Sequence, residues 1–153
     1  MWEGLVVALY IAPAADEPMQ TIDKAHLVPG RGIEGDRYYH RTGTHSDDDD
    51  TCYDVTLIES EVIEAVKQHH ELDIDASTPR RNIVTRGFSV NHLVNHVFRI
   101  GDVTLRGVAL RGPCPHLMEM TSHKLGVALM HRGGLGAEIL SDGVIHVGDR
   151  IRE

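Results

Sequence analysis

Cysteine is scarce in this chain. Cys52 and Cys114 are the only two in 153 residues, too few for a disulfide scaffold, and a reducing compartment, the cytoplasm, is the expectation. A single Cys52–Cys114 bridge is the alternative. Aromatic residues are also few, with one Trp, four Tyr and two Phe. Long apolar runs are missing: no stretch approaches the ~20 residues of a membrane span, so no membrane partner is expected. Positive charge is in deficit. Lys plus Arg number 15 against 23 Asp plus Glu, a formal charge of −8, which argues against a nucleic-acid backbone as partner. It leaves room for a small anion held by a local group of arginines. The glycines form neither a Walker loop nor a dinucleotide fingerprint, and there is no nucleophile elbow, HExxH or paired CxxC.

What is present is ordinary globular composition, 41% hydrophobic and 25% charged. A chain of this length buries roughly two-thirds of its unfolded surface and needs no structural metal. With neither repeats nor a linker, residues 1–153 read as a single domain. The apolar run at residues 5–12 precedes Pro13 and carries Glu3 rather than a basic residue in front of it, so it reads as a first strand and not a secretory leader. Histidine is over-represented, with 11 copies. The pairs His69-His70 and His92/His96 lack a metal-ligand frame and read as helix-end charges and surface polar groups. His45 beside the run Asp47–Asp50 lacks the alternate spacing and glycine turn of a calcium loop and reads as solvated loop.

Turn residues punctuate the chain at short intervals. Residues 5–11 form a strand, and 28–37, with Gly30, Gly32 and Gly35, a tight loop. Residues 42–51 are expected to be an exposed loop, 54–58 a strand, and 59–70 an amphipathic helix with acidic residues first and histidines last. Strands follow at 82–85, 98–100 and 103–110, with a helical turn at 91–95, and a helix at 122–131 closed by Gly133-Gly134. Near the end, 137–140 and 144–147 flank Asp142-Gly143, a type I′ hairpin signal, and Gly148-Asp149 turns the chain into 150–152. Many short strands on hairpin turns, with few helices and no βαβ rhythm, predict a mainly β, antiparallel barrel with a few peripheral short helices.

Two stretches carry chemistry. In Arg111-Gly112-Pro113-Cys114-Pro115-His116, Pro115 holds Cys114 extended and suits the first position of a helical turn. A thiol at a helix N-terminus, near Arg111 and His116, is stabilised as thiolate. Such a thiolate ligates a soft metal, attacks carbon or accepts sulfur as persulfide; the competing reading is a small buried side chain. The second stretch, Arg80-Arg81-Asn82 with Arg86, concentrates three arginines in an acidic chain, where guanidinium forks suit phosphate or carboxylate. A solvated edge strand is the alternative. Gly35-Asp36-Arg37 with His40 presents a further anion contact or a loop brace.

With these pieces in order, the chain resembles a stand-alone MOSC domain, the module named after the C-terminal part of molybdenum cofactor sulfurases. The resemblance runs through Ile11-Ala12-Pro13, Gly32-Ile33-Glu34-Gly35-Asp36-Arg37-Tyr38, Val55-Thr56-Leu57-Ile58-Glu59, Arg80-Arg81-Asn82-Ile83-Val84-Thr85-Arg86-Gly87, Phe98-Arg99-Ile100-Gly101-Asp102, Pro113-Cys114-Pro115-His116-Leu117, His131-Arg132-Gly133-Gly134-Leu135 and Val147-Gly148-Asp149. It implies the MOSC β-barrel. It also implies that Cys114 carries sulfur or meets molybdenum, and that Arg81, Asn82, Arg86, Arg37, Arg111 and His116 hold the anionic molybdenum cofactor, a molybdopterin. As a stand-alone domain it is expected to lack the desulfurase domain of larger relatives, which binds pyridoxal phosphate, so a cysteine desulfurase or other sulfur donor would be a separate partner. The acceptor would be a molybdenum enzyme or a metal-sulfur protein. Two other readings stay open: a molybdenum-dependent reductase component acting on N-hydroxylated compounds, and a non-catalytic binding barrel.

Overall fold

The computed structural model describes residues 2–39, 53–112 and 123–153. Eleven strands appear among them: β1 (Gly4–Ile11), β2 (Gln20–Ile22), β3 (Lys24–Val28), β4 (Gly32–Ile33), β5 (Val55–Glu59), β6 (Ile83–Arg86), β7 (Val97–Ile100), β8 (Val103–Leu110), β9 (Leu135–Ile139), β10 (Gly143–His146) and β11 (Arg150–Arg152). The helices are α1 (Ser60–His69) and α2 (His123–Ala128), with a 3-10 turn at Val90–Leu93.

Seven strands close into a ring in the order β11-β7-β8-β9-β5-β6-β1, sealed by pairing of β1 with β11. β2 extends the end of β1, and β10-β3-β4 forms a separate three-stranded sheet. The expected β-barrel is therefore present. Alternation places its core: Val103, Leu105 and Gly107 of β8 are buried while Thr104 and Arg106 are not. Inside the ring these residues meet Leu9, Leu57, Ile83, Phe98, Ile100 and Leu135, all with no solvent exposure. A second apolar cluster lies outside it, where Ile63 and Val66 of α1 and Leu125, Ala128 and Leu129 of the α2 region cover Ile58 and Val84. Helix α1 forms for the reasons read from the sequence: its apolar positions share a face, Glu61 sits in the first turn, and Lys67 and His69 in the last.

Three local expectations change. The described residues contain a βαβ unit, since β5, α1 and β6 are consecutive and β5 and β6 are parallel, with Leu57 opposite Ile83. Asp142-Gly143 does not close a hairpin. β9 stays in the barrel and β10 pairs with β3, so the dipeptide carries the chain from one sheet to the other. The glycine-rich loop at 28–37 contains the two-residue strand β4, paired to β3, and residues 20–28 form strands that no turn signal announced.

The small sheet is tied down electrostatically. His26 on β3 hydrogen-bonds Glu34 through Nδ1 at 2.9 Å and Asp142 through Nε2 at 2.8 Å. Only the imidazolium donates from both nitrogens. Hydrogen bonding to Asp142, and then to Glu34, raises the His26 pKa above its ordinary value. A raised folded-state pKa contributes stability that is complete below the unfolded value and is lost as pH rises through the folded one. Between about pH 6 and about pH 9, the urea midpoint of the native protein should therefore fall more than that of His26→Gln. Equal slopes for the two proteins would refute a charged His26 tie.

Candidate functional site

The site begins where β1 stops. After Ile11, the carbonyl of Ala12 accepts the Arg37 backbone N–H at 2.7 Å, and the Ala12 N–H donates to Asp36 Oδ1 at 3.0 Å. The same carboxylate oxygen accepts from Arg37 Nη1 at 3.1 Å, and both side chains are buried. A buried ion pair is stable only when its remaining polar atoms are engaged. Arg37 meets that condition through the Arg80 carbonyl at 3.5 Å, the Met19 sulfur at 3.6 Å and the face of Tyr38, 4.6 Å from its guanidinium carbon. The Asp36–Arg37 pair thus braces the loop, and the guanidinium is held against the backbone of residue 80.

Arg80 adopts a positive φ of 60° and donates from Nη1 to the Glu17 carbonyl at 2.7 Å. Burial, and secondly the nearby charge of Arg37, lowers its pKa from the ordinary guanidinium value. Arg81 turns the other way. It is 9% exposed, and its Nε donates to the Gly133 carbonyl at 2.8 Å and its Nη2 to the Gly112 carbonyl at 3.2 Å. Glycine at 133 lets this backbone pack against that of Arg111, since a Cβ there would lie 2.2 Å from the Arg111 carbonyl oxygen. Arg111, at the end of β8, stacks its guanidinium 4.6 Å over the Tyr53 ring. Its buried Nε has no hydrogen-bond partner among the described residues. A buried unpaired guanidinium N–H is costly and marks a place where an acceptor is wanted.

Asn82 is 1% exposed, and much of its hydrogen-bonding capacity is engaged within the fold. Oδ1 accepts both the Thr56 N–H and the Thr56 hydroxyl at 3.2 Å, and Nδ2 donates to the Tyr10 carbonyl at 3.2 Å. It fastens β6 to β5 and β1 immediately beside Arg81. Arg86 is remote from this group. It lies at the opposite end of β6, five residues from Arg81 or roughly 16 Å along an extended chain, with Nε 3.4 Å from Ser60 Oγ and Nη2 3.7 Å from Glu64. Of the residues singled out in the sequence, the structure sets Arg81 beside Asn82 and against the backbone that follows Arg111, places Arg37 against the Arg80 carbonyl, and separates Arg86. Cys114, His116, His40 and Cys52 lie outside the described residues. Sequence reasoning missed two contributors. Tyr53 follows an acidic run with no pattern around it, and Gly133 has the sequence signature of a helix stop, which says nothing of a carbonyl for Arg81.

Among the described residues, Arg81 lies against the backbone that follows Arg111, while Arg37 is paired with Asp36 and set against the Arg80 carbonyl, in a chain of net charge −8. Such an arrangement favours a phosphate-like or carboxylate anion. No group of three or more His, Cys, Asp or Glu able to hold a metal ion occurs among the described residues. Nor is any helix among them long and apolar enough to cross a membrane.

The family model of the MOSC domain matches residues 42–152. No curated protein matches the sequence. Among solved structures, the YuaD protein of Bacillus subtilis superimposes with a TM-score of 0.81 at 18% identity, over 99% of this chain and 97% of that one. YiiM of Geobacillus stearothermophilus gives 0.71 at 14% identity, covering 97% of this chain and 74% of its own. YiiM of Escherichia coli gives 0.65 at 15%, with 99% and 69% covered. At such identities these likenesses concern the fold.

Proposed function

The chain belongs to the MOSC domain family, a family associated with the molybdenum cofactor, and on that premise we propose that it binds the cofactor and carries sulfur on Cys114. The observation that supports this reading most is the arginine pair at the end of β8. Arg81 is buried against the Gly112 carbonyl, and the neighbouring Arg111 keeps a buried Nε–H without a partner among the described residues. Cys114 follows Gly112 by two positions in the sequence.

The donor set fits an anionic pterin phosphate. Arg81 and Arg111 supply guanidinium charge in partly desolvated surroundings, where a charge-assisted hydrogen bond is stronger than at the surface. Arg37, locked by Asp36, fixes the carbonyl of Arg80, the residue before Arg81. Asn82 serves the site by holding the start of β6, and His116 adds a basic group to the Cys114 segment. When bound, the cofactor would supply the molybdenum chemistry. The chain's own reactive group is the Cys114 thiol, which in this reading ligates the metal or carries sulfur. In sulfur transfer, the Cys114 thiolate attacks the terminal sulfur of a donor protein's persulfide. A new S–S bond forms as the donor's S–S bond breaks, and the donor cysteine leaves as its thiolate, so no external oxidant is needed.

The test is made on the whole chain, expressed with molybdate. Molybdenum and pterin should co-purify, and Arg81→Met should reduce their occupancy by about tenfold, the loss of one charge-assisted contact. After exposure to a cysteine desulfurase and cysteine, the native protein should gain about 32 Da, one sulfur atom, and Cys114→Ser none. Protein free of metal and pterin that also gains no sulfur would overturn the proposal.

A further inference from the structure

A cavity of about 360 Å³ lies outside the barrel, between α1, the outer face of β1 and β6, and residues 74–76. Its size falls in the range of small-molecule pockets, about 300–1,000 Å³. The walls are apolar: Val7 and Ala8 from β1, Ile63 from α1, Val84 from β6 and Ile74. Val7 and Ala8 are consecutive, and in a regular strand they would face opposite sides. The register of β1 against β6 shifts between Val6 and Ala8. This bulge turns both side chains toward the cavity while Val6 and Leu9 on either side of them stay in the barrel core. Bulges of this kind re-aim side chains beside binding sites.

The polar lining is balanced in charge. Arg86 and Lys67 are cationic; Glu64 and Asp75 are anionic. The buried Ser60 hydroxyl orients Arg86: it accepts from Arg86 Nε at 3.4 Å and donates to Glu61 Oε1 at 3.2 Å. Hydrogen bonds donated by Ser77 and Thr78 lower the Asp75 pKa below the ordinary carboxylate value. A simple anion would compete with Glu64 for Arg86 and leave that carboxylate uncompensated. A ligand with both charges exchanges one ion pair for two and offers its apolar body to the walls.

We propose that this cavity binds a free apolar α-amino acid, its carboxylate on Arg86, its ammonium toward Glu64 and Asp75, and its side chain against Val7, Ala8 and Val84. The site is distinct from the arginine group around Arg81, and its occupancy does not depend on bound molybdenum or pterin.

Isothermal titration of the metal-free chain tests this with L-leucine, isocaproate, which lacks the ammonium, and isopentylamine, which lacks the carboxylate. L-Leucine should bind saturably, and each half-analogue at least about tenfold more weakly, since each forfeits a charge-assisted contact. Arg86→Met should weaken leucine by about tenfold or more, and Ala8→Phe, which fills the void, should abolish binding; thermal melts report that each variant is folded. Should Ala8→Phe not fold, Arg86→Met decides. No saturable binding of leucine, methionine or phenylalanine would overturn the proposal, as would isocaproate binding as tightly as leucine or unchanged leucine affinity in Arg86→Met.

Discussion

Asn82→Ala should lower the melting temperature by on the order of 10 °C. The side chain is buried at the start of β6, where its Oδ1 accepts the Thr56 N–H and hydroxyl and its Nδ2 serves the Tyr10 carbonyl. Alanine leaves a backbone N–H, a hydroxyl and a carbonyl without these partners. A buried polar group left unsatisfied costs about 1–3 kcal/mol, so a loss of roughly 3–5 kcal/mol is expected. For a domain of about this size each kcal/mol moves the melting temperature by about 2–4 °C. Differential scanning calorimetry reads the effect directly. A shift below about 2 °C would mean that the bonds add little, and would return Asn82 to the role of a ligand contact.

Gly134→Ala should be more damaging still, to the point that little folded protein accumulates. Gly134 adopts a φ of +110°, and a Cβ built on it lies 2.2 Å from the Leu57 carbonyl oxygen and 3.5 Å from Ile58. Strained backbone of this kind costs about 1–3 kcal/mol. The overlap adds more because the obstructing atom is main chain of β5 and cannot rotate away. Gly148→Ala separates the two contributions. Gly148 has a similar φ, +96°, but nothing lies within 4 Å of its added Cβ, so only the backbone strain remains. Chemical denaturation should show a modest midpoint change for Gly148→Ala and a collapse for Gly134→Ala. Equal effects would assign the whole cost to the dihedral angle. Because the preceding carbonyl, that of Gly133, accepts from Arg81, the damage should also reach the anion site.

How much of this was legible in the sequence depended on how far each partner lies along the chain. The helix at 60–69 and the β7–β8 hairpin were readable because their signals, a shared apolar face and a Gly101-Asp102 turn between alternating strands, are local. The hairpin expected at Asp142-Gly143 failed for the same reason. A turn dipeptide says that the chain bends, whereas β10 finds its partner in β3, more than a hundred residues earlier. The arginines behave alike. Arg81 and Arg86 are neighbours in sequence, but an extended strand carries them to opposite ends, one to the Gly112 and Gly133 carbonyls and the other to Ser60 and Glu64. Conversely Arg37, far from Arg81 in sequence, is brought to the carbonyl of Arg80. The buried Nε of Arg111 had no sequence signature, because an unsatisfied donor is a property of its surroundings.

The count of strands in the ring has a consequence of parity. Strands that alternate up and down around a closed ring must be even in number; with seven, at least one pair of neighbours has to run the same way. Here that pair is β5 and β6. A parallel pair cannot be joined by a tight turn, so the chain must leave the ring and return from the far end. Residues 60–82 make that excursion, and they bring α1 and residues 72–76 over the outer face of β1 and β6. The second apolar cluster and the cavity beside Arg86 are thus products of arithmetic: an odd ring requires a crossover, and the crossover supplies the roof.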